Sequence, residues 1–392
     1  FCAAWVNNVA MAWGATRLDI ECSEVSFAEA VRGTTSRLFG QIAPVLTSYY
    51  GRPPAIAAKE YGEAPEFGPC AESLFRPIEQ IPIGGGEAKA LGVNIGQTAT
   101  KCVDCDVGGR ILARRSFGTW VSNPDRDFTI LTKEVQCARD GLLAETGNGH
   151  RLDAVGVALG GIVTGGRVLP GAGLTLHRTP AEVAQLGELA SVLGVRFGAK
   201  AAVVQDVAAK AFALRAAARR ERTLLLDVGT STGGVTFGED GEACDLLHQV
   251  GRVCVDLGPK AASRDDRAAI GVVSKYLSAA GWRRACAVCG IDPALEADVL
   301  AGDGAADEVA LGCARREFLG YLECTVETLR LLYPFDRVVL TGGVVAGALG
   351  DYLLAESRDR RWVERGLPDV TRSTESVFEG ARGAALLALA LE

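Results

Sequence analysis

One pattern occurs twice in this chain and constrains its fold more than any other feature. Residues 91–101 (LGVNIGQTATK) and 224–237 (LLLDVGTSTGGVTF) each contain an apolar strand, an amide or acidic residue, glycine, hydroxyl residues and the start of a second strand. Such a hairpin can present backbone N–H groups and hydroxyls to phosphate oxygens. Either copy alone fits an ordinary β-hairpin equally well. Two copies, about 130 residues apart, predict two related lobes.

The rest of the chain predicts an α/β architecture, because short β-rich runs alternate with helical runs from residue 90 onward. A predicted strand at 337–341 ends in Gly342 and Gly343, where a bulky ligand could approach the backbone closely. Further helices are predicted at 26–50 and 267–280. The predicted organisation is an N-terminal extension over 1–88, a first lobe over 89–220, and a second lobe over 221–392 whose last helix packs back toward the first lobe.

Charge, apolar runs and cysteine spacing argue against a nucleic-acid-binding surface, a membrane span and a disulfide-rich secreted protein. The net charge of −7 over 392 residues argues against a general nucleic-acid surface. The longest apolar run is far shorter than the roughly 20 residues that cross a bilayer, and the apolar residues 1–13 lack a basic leading region. The twelve cysteines are scattered, so we expect reduced thiols in a cytoplasmic protein. Cys286 and Cys289 form a single C-x-x-C, which predicts packed thiols rather than a metal site.

Asp206 is the candidate catalytic residue. It follows a predicted strand at 201–205 and opens a predicted helix at 207–220. A carboxylate in this position can accept a proton from an alcohol that attacks a γ-phosphate. The alternative is that Asp206 only caps the helix. The surrounding motifs favour catalysis, since perturbed carboxylates concentrate in clefts.

Five segments, in order, resemble the five motifs of the actin-like ATPase superfamily. Their spacing is most similar to that of the ROK group, which contains bacterial sugar kinases and sugar-responsive repressors. The resemblance covers residues 90–392 and implies a two-lobed actin-like ATPase (ribonuclease H-like) α/β fold with an N-terminal extension. The matching segments are 94–98 (NIGQT), 203–209 (VVQDVAA), 227–234 (DVGTSTGG), 340–343 (LTGG) and 380–385 (GARGAA).

The resemblance implies ATP and Mg²⁺ as cofactors and a homodimer as the assembly. The two hairpins would hold the β- and γ-phosphates, Gly342 and Gly343 would border adenosine, and Asp206 would be the general base. Mg²⁺ would be held through water by Asn94 and Asp227. The nucleotide-binding residues implied in this way are Asn94, Gly96, Gln97, Thr98, Lys101, Asp227, Gly229, Thr230, Ser231, Thr232, Gly233, Gly342 and Gly343.

The chain departs from the ROK pattern at its metal and sugar positions. Asn94 stands where the group usually has Asp, so an oxygen ligand remains but its charge is lost. Where the ROK group has its sugar-contacting residues, this chain has Gln205, 170–174 (PGAGL) and 251–255 (GRVCV). The zinc motif of the group is not found, so no zinc is predicted. An ordinary hexose would lose most of its hydrogen bonds to these residues, which implies that a different molecule accepts the phosphate group. Arg252 suits an anionic or carbonyl-bearing ligand. The candidate acceptor contacts are Gln205, Gly160, Gly161, His177, Arg178 and Arg252.

These features predict an ATP-dependent small-molecule kinase that phosphorylates a hydroxyl of a non-standard sugar, cyclitol or related metabolite. A non-catalytic ligand-binding or regulatory descendant is the first alternative, motivated by Asn94 and the replaced sugar contacts. An ATPase that activates a partner enzyme is the second, because 94–101 also resembles the first motif of the 2-hydroxyacyl-CoA dehydratase activators. A DNA-binding repressor is disfavoured, since 1–88 has few basic residues and no convincing helix-turn-helix.

Overall fold

The computed structural model divides into two compact units. The five-stranded unit consists of Pro77–Arg219 with Val377–Glu392, and the four-stranded unit consists of Phe1–Arg76 with Arg220–Ser376. The predicted helix at 26–50 lies outside the residues that the structure describes. Those residues are 8, 17–22, 55–60, 88–96, 98–118, 128–146, 152–164, 167–169, 179–215, 221–237, 250–258, 261–262, 271–295, 300, 307–333, 335–373 and 377–390.

Strands and helices alternate along the described chain, which confirms the α/β class predicted from the sequence. The strands are β1 (Arg17–Cys22), β2 (Ala55–Glu60), β3 (Lys89–Ile95), β4 (Ala99–Asp106), β5 (Ile111–Gly118), β6 (Ala154–Leu159), β7 (Ile162–Thr164), β8 (Arg167–Leu169), β9 (Lys200–Gln205), β10 (Thr223–Val228), β11 (Thr232–Phe237), β12 (Arg337–Thr341) and β13 (Asp369–Arg372). The helices are α1 (Phe128–Thr146), α2 (Pro180–Gly187), α3 (Leu189–Phe197), α4 (Asp206–Arg215), α5 (Ala279–Val288), α6 (Glu308–Arg330), α7 (Ala348–Glu356), α8 (Arg360–Glu364) and α9 (Glu379–Leu389).

The five-stranded unit is built on a mixed sheet with the strand order β5-β4-β3-β6-β9. β3, β4 and β5 pair antiparallel as a meander, whereas β3, β6 and β9 run parallel. Parallel strands place their carboxyl ends at one edge of a sheet, where α/β proteins bind ligands. The residues that follow β3, β6 and β9 therefore meet at a single edge.

One face of this sheet is covered by α1, α2 and α3. Val135, Ala138 and Leu142 recur at helical spacing on α1 and join a buried cluster with Leu91 and Val155 of the sheet. All six residues of β6 are buried, as expected for a central parallel strand covered on both faces. This apolar packing covers one face of the sheet behind its carboxyl edge.

The other face is covered by α9, which approaches the sheet closely because glycines face it. A Cβ atom built on Gly92 would lie 1.9 Å from the carbonyl oxygen of Ala381, and one built on Gly156 would lie 1.9 Å from that of Ala384. Any side chain at either glycine would push the helix away. α9 therefore lies directly on β3 and β6.

The four-stranded unit contains a sheet with the order β11-β10-β12-β13. β10 and β11 form an antiparallel hairpin, and β10, β12 and β13 run parallel. Trp282 of α5 and Phe318 of α6 are buried and make an edge-to-face contact with ring centroids 6.0 Å apart. In this unit, β1 pairs parallel with β2 in a separate two-stranded sheet. Across the described residues, no helix is both long and apolar enough to span a bilayer.

Cys289 and Cys313 form a disulfide bond, which joins the end of α5 to α6. The prediction of reduced thiols throughout the chain is therefore wrong for this pair, although Cys286 is a buried, reduced thiol as predicted. In the part of the chain that the structure describes, no group of three or more His, Cys, Asp or Glu side chains could hold a metal ion.

Reduction of this disulfide should lower the free energy of unfolding by about 3 kcal/mol, because the bond closes a loop in the unfolded chain. The two cysteines are 24 residues apart in sequence. Guanidinium unfolding with and without dithiothreitol measures the effect. The reductant should have no effect on a Cys313→Ser variant, and equal stability of the oxidised and reduced wild type would contradict the prediction.

Candidate functional site

Asp206 lies at the carboxyl edge of the five-stranded sheet, as the first residue of α4 directly after β9. Its Oδ1 atom accepts a hydrogen bond from the backbone N–H of Val207 at 2.8 Å. A Cβ atom built on Gly160, which follows β6, would lie 3.5 Å from Oδ2. One carboxylate oxygen is therefore held by the backbone, and the other points toward the end of the neighbouring strand.

Asn94 lies near the end of β3 at the same edge and is only 7% exposed. Its amide packs against the first turn of α9, since a Cβ atom on Gly380 would lie 2.3 Å from Nδ2. The Oδ1 atom is buried and has no hydrogen-bond partner. A buried oxygen of this kind fits a ligand for a hard cation or its bound water. Asn94 thus offers a neutral oxygen at this edge of the sheet.

The first hairpin turn connects β3 to β4. Gly96 donates its backbone N–H to the carbonyl oxygen of Ala99 at 3.1 Å, and Thr98 is exposed at the tip. Lys101 pairs with Asn94 across the two strands, and residues directly opposite each other share a face of the sheet. This face is the one on which α9 packs. Gln97, the remaining predicted contact here, lies outside the described residues.

The second hairpin turn connects β10 to β11 in the other unit. Gly229 donates its backbone N–H to the carbonyl oxygen of Ser231 at 3.0 Å, while Thr230 and Ser231 are exposed. Thr232 is buried, and its hydroxyl donates to the carbonyl oxygen of Leu277. Its hydroxyl proton is therefore used within the protein, which leaves Thr230 and Ser231 as the hydroxyls open to a ligand. Gly233 pairs with Asp227 in the hairpin.

The loop after β12 crosses the end of this hairpin. Gly342 has a φ of +102°, and a Cβ atom there would lie 2.4 Å from the carbonyl oxygen of Val228 and 2.6 Å from Oδ1 of Asp227. Only glycine fits this position, because of both the backbone conformation and the contact. A Cβ atom on Gly343 would meet nothing within 4 Å. The loop thus holds one glycine against Asp227 and presents the next to open space.

The candidate acceptor contacts divide between the two units. Gly160, Gly161 and Gln205 follow or end β6 and β9, so the fold brings them together beside Asp206. Arg252 ends a 3-10 turn in the four-stranded unit. The glycine before it packs on the second hairpin, since a Cβ atom on Gly251 would lie 2.2 Å from the carbonyl oxygen of Thr232. His177 and Arg178 lie outside the described residues.

A residue of the N-terminal extension holds the segment that contains Arg252. The side chain of Asn8 donates to the carbonyl oxygen of Cys254 at 2.9 Å and accepts from the N–H of Cys254 at 2.7 Å. Asn8 is 6% exposed, so this two-point contact is shielded from water. The extension therefore helps to fix the backbone beside one of the candidate acceptor residues.

Two buried charged residues of the five-stranded unit were not predicted as site residues from the sequence. Glu379 is completely buried in the first turn of α9, where the helix dipole favours a carboxylate. Lys210 is 8% exposed and lies four residues after Asp206 on α4, so the two share one side of the helix. The Asp-x-x-x-Lys spacing is the sequence pattern that could have predicted Lys210 on the same side of the helix as Asp206. No sequence pattern predicts the burial of Glu379, because burial depends on contacts with distant strands.

Two sheets, each with a glycine and hydroxyl hairpin at its edge, define the actin-like ATPase fold, as predicted. No family model and no curated protein matches the sequence. Among solved structures, the chain is similar to a ROK family glucokinase from Streptomyces griseus in complex with glucose and AMPPNP, with a TM-score of 0.59 and 21% identity over 77% of this chain and 99% of that one.

Two further solved structures show the same fold over different shares of this chain. A ROK hexokinase from Thermus thermophilus matches with a TM-score of 0.55 and 22% identity over 77% of this chain and 98% of its own. A ROK family transcriptional regulator, a homologue of the E. coli MLC protein, matches with a TM-score of 0.57 and 14% identity over 100% of this chain and 97% of its own. The fold is thus shared by kinases and by a regulator.

Proposed function

We propose that this protein is an ATP-dependent phosphotransferase that phosphorylates a hydroxyl group of a small molecule. The observation that carries the proposal is the placement of Asp206, whose Oδ1 is held by the N–H of Val207 while Oδ2 points toward Gly160. A carboxylate held in this orientation at the carboxyl edge of a parallel sheet is suited to accept the proton of an attacking alcohol. The shared fold with ROK sugar kinases supports this kind of reaction.

The glycine and hydroxyl motifs of both units would bind the nucleotide. Backbone N–H groups of the two turns, with the exposed hydroxyls of Thr230 and Ser231, would donate to phosphate oxygens. The open space at Gly343 would accept the nucleoside. The oxygens of Asn94 and Asp227 suit Mg²⁺ bound through water, and Mg²⁺, when bound, would neutralise charge on the phosphates.

The acceptor that we propose is a non-standard sugar, cyclitol or related metabolite that carries an anionic or carbonyl group. Gln205 is half-buried beside Asp206 and can both donate to and accept from a hydroxyl. Arg252 supplies a guanidinium, which pairs best with a carboxylate, phosphate or carbonyl oxygen. We further propose that the protein is cytoplasmic and works as a homodimer, and sedimentation of the purified protein would test the dimer.

Acceptor-dependent release of ADP tests the proposal directly. Purified protein with ATP and Mg²⁺ should turn over at least one member of a panel of hexoses, amino sugars, cyclitols and sugar acids, at a rate about tenfold or more above that with glucose. Mass spectrometry of the product should show the added phosphate. Tight ATP binding with no acceptor-dependent ADP release anywhere in the panel would contradict a kinase.

A ligand-binding regulator is the second candidate, and one observation favours it. The match to the ROK transcriptional regulator spans 100% of this chain, whereas the glucokinase and hexokinase matches span 77%. The regulator is therefore similar over a longer part of the chain than either kinase. Saturable binding of a panel compound, with no phosphate transfer and no effect of Asp206→Asn on that binding, would support this candidate.

A further inference from the structure

Arg372 holds the loop that contains Gly342 and Gly343, although it lies outside that loop. It ends β13, and its guanidinium reaches the residues that follow β12. Nη1 donates to the carbonyl oxygens of Val345 at 3.1 Å and Gly347 at 3.0 Å. Nη2 donates to a carboxylate oxygen of Asp351 at 2.6 Å. One planar group therefore joins the second half of the loop to the first turn of α7.

The space around this guanidinium is closely fitted. A Cβ atom on Gly350 would lie 2.6 Å from Nη1 of Arg372 and 1.9 Å from the carbonyl oxygen of Val345. Lysine would bring the same charge but has no rigid fork of donors, so it could not keep three contacts that point in fixed directions. The position thus requires arginine and not only a positive charge.

The loop that Arg372 fixes is the surface assigned to adenosine. Its first glycine, Gly342, lies on Val228 and Asp227, and its second, Gly343, faces open space. We infer that Arg372 is a positioning residue for the nucleoside half of ATP, an inference that rests on the proposed function. By holding Val345 and Gly347, it keeps the backbone at Gly343 in place for the nucleoside without touching the phosphates.

Isothermal titration calorimetry measures the dissociation constants of two probes, ATP and tripolyphosphate. The comparison tests this inference because only ATP contains a nucleoside. In Arg372→Lys the dissociation constant for ATP should rise about tenfold, whereas that for tripolyphosphate should stay within about twofold. Arg337→Lys is the matched control. Arg337 lies on the adjacent strand β12 and donates to Thr371 Oγ1 at 3.0 Å, away from the loop, so neither dissociation constant should change.

The outcomes separate this inference from the proposed function. Failure of the wild-type protein to bind ATP overturns both. Wild-type ATP binding with an unchanged ATP affinity in Arg372→Lys, or with equal weakening of both probes, overturns the inference alone. If Arg372→Lys does not fold, Asp351→Asn carries the test, because it weakens one of the three contacts and should raise only the ATP dissociation constant, about threefold.

Discussion

Asp206→Asn should lower the rate of acceptor-dependent phosphate transfer about 10³-fold while leaving the dissociation constant for ATP within about twofold. The amide has the shape of the carboxylate but cannot accept a proton from an attacking alcohol. Its carbonyl oxygen can still accept the hydrogen bond from the N–H of Val207, so α4 should begin as it does in the wild type. The chemical step should therefore fail without loss of the fold.

The matched control is Asp153→Asn, at the opposite edge of the same sheet. Asp153 is exposed and accepts a hydrogen bond from the backbone N–H of Lys89 at 3.0 Å, near the start of β3. Its replacement should leave both the transfer rate and ATP binding unchanged. Single-turnover measurements with ATP in excess over its dissociation constant separate chemistry from binding. A transfer rate in Asp206→Asn close to that of the wild type would show that Asp206 only begins the helix.

The parts of the fold that could be predicted from the sequence are those that local residues determine. Both hairpins occur where glycine and hydroxyl residues interrupt apolar strands, and both strand pairs extend outward in register from those turns. The strand before Asp206 and the helix after it also follow from local pattern. Local chemistry was enough because a tight turn and the alternation of buried residues each depend on only a few neighbouring positions.

The helix predicted at 267–280 is wrong over the described residues 271–278, and the reason is a long-range contact. Gly271 has a φ of +67°, and a Cβ atom there would lie 1.7 Å from the carbonyl oxygen of Asp256. The hydroxyl of Tyr276 donates to the carboxylate of Asp256, and burial together with this hydrogen bond raises the pKa of Tyr276 to about 12. The apolar spacing resembled a helix, but the segment pairs with residues about 15–20 positions earlier.

Long-range contacts also determine those parts of the candidate site that could not be predicted from the sequence. The disulfide partner of Cys289 and the burial of Glu379 depend on how distant elements pack. No sequence pattern predicts the role of Arg372, because its three acceptors lie 21 to 27 residues earlier, in the loop after β12 and in α7. The turn residues of the two hairpins are neighbours in sequence and can be found by inspection. The residues that support those turns come from other strands and helices and require the structure.

Gly156→Val should lower the free energy of unfolding by about 3–5 kcal/mol, although valine is the better strand former. Gly156 lies in the middle of β6, where a Cβ atom would be 1.9 Å from the carbonyl oxygen of Ala384. That oxygen belongs to the backbone of α9 and cannot turn aside as a side chain could. Strand propensity and packing thus predict opposite signs, and packing should prevail.

Gly320→Ala is the control, because it separates a general effect of replacing glycine from the effect of this contact. A Cβ atom on Gly320, within α6, would meet nothing within 4 Å outside its own helix, so alanine there should raise stability by about 0.4–1 kcal/mol. Urea unfolding measures both variants. Wild-type stability in Gly156→Val would show that α9 does not lie on β6. Since the first turn of α9 also packs on Asn94, Gly156→Val should weaken ATP binding at urea concentrations below those that unfold it.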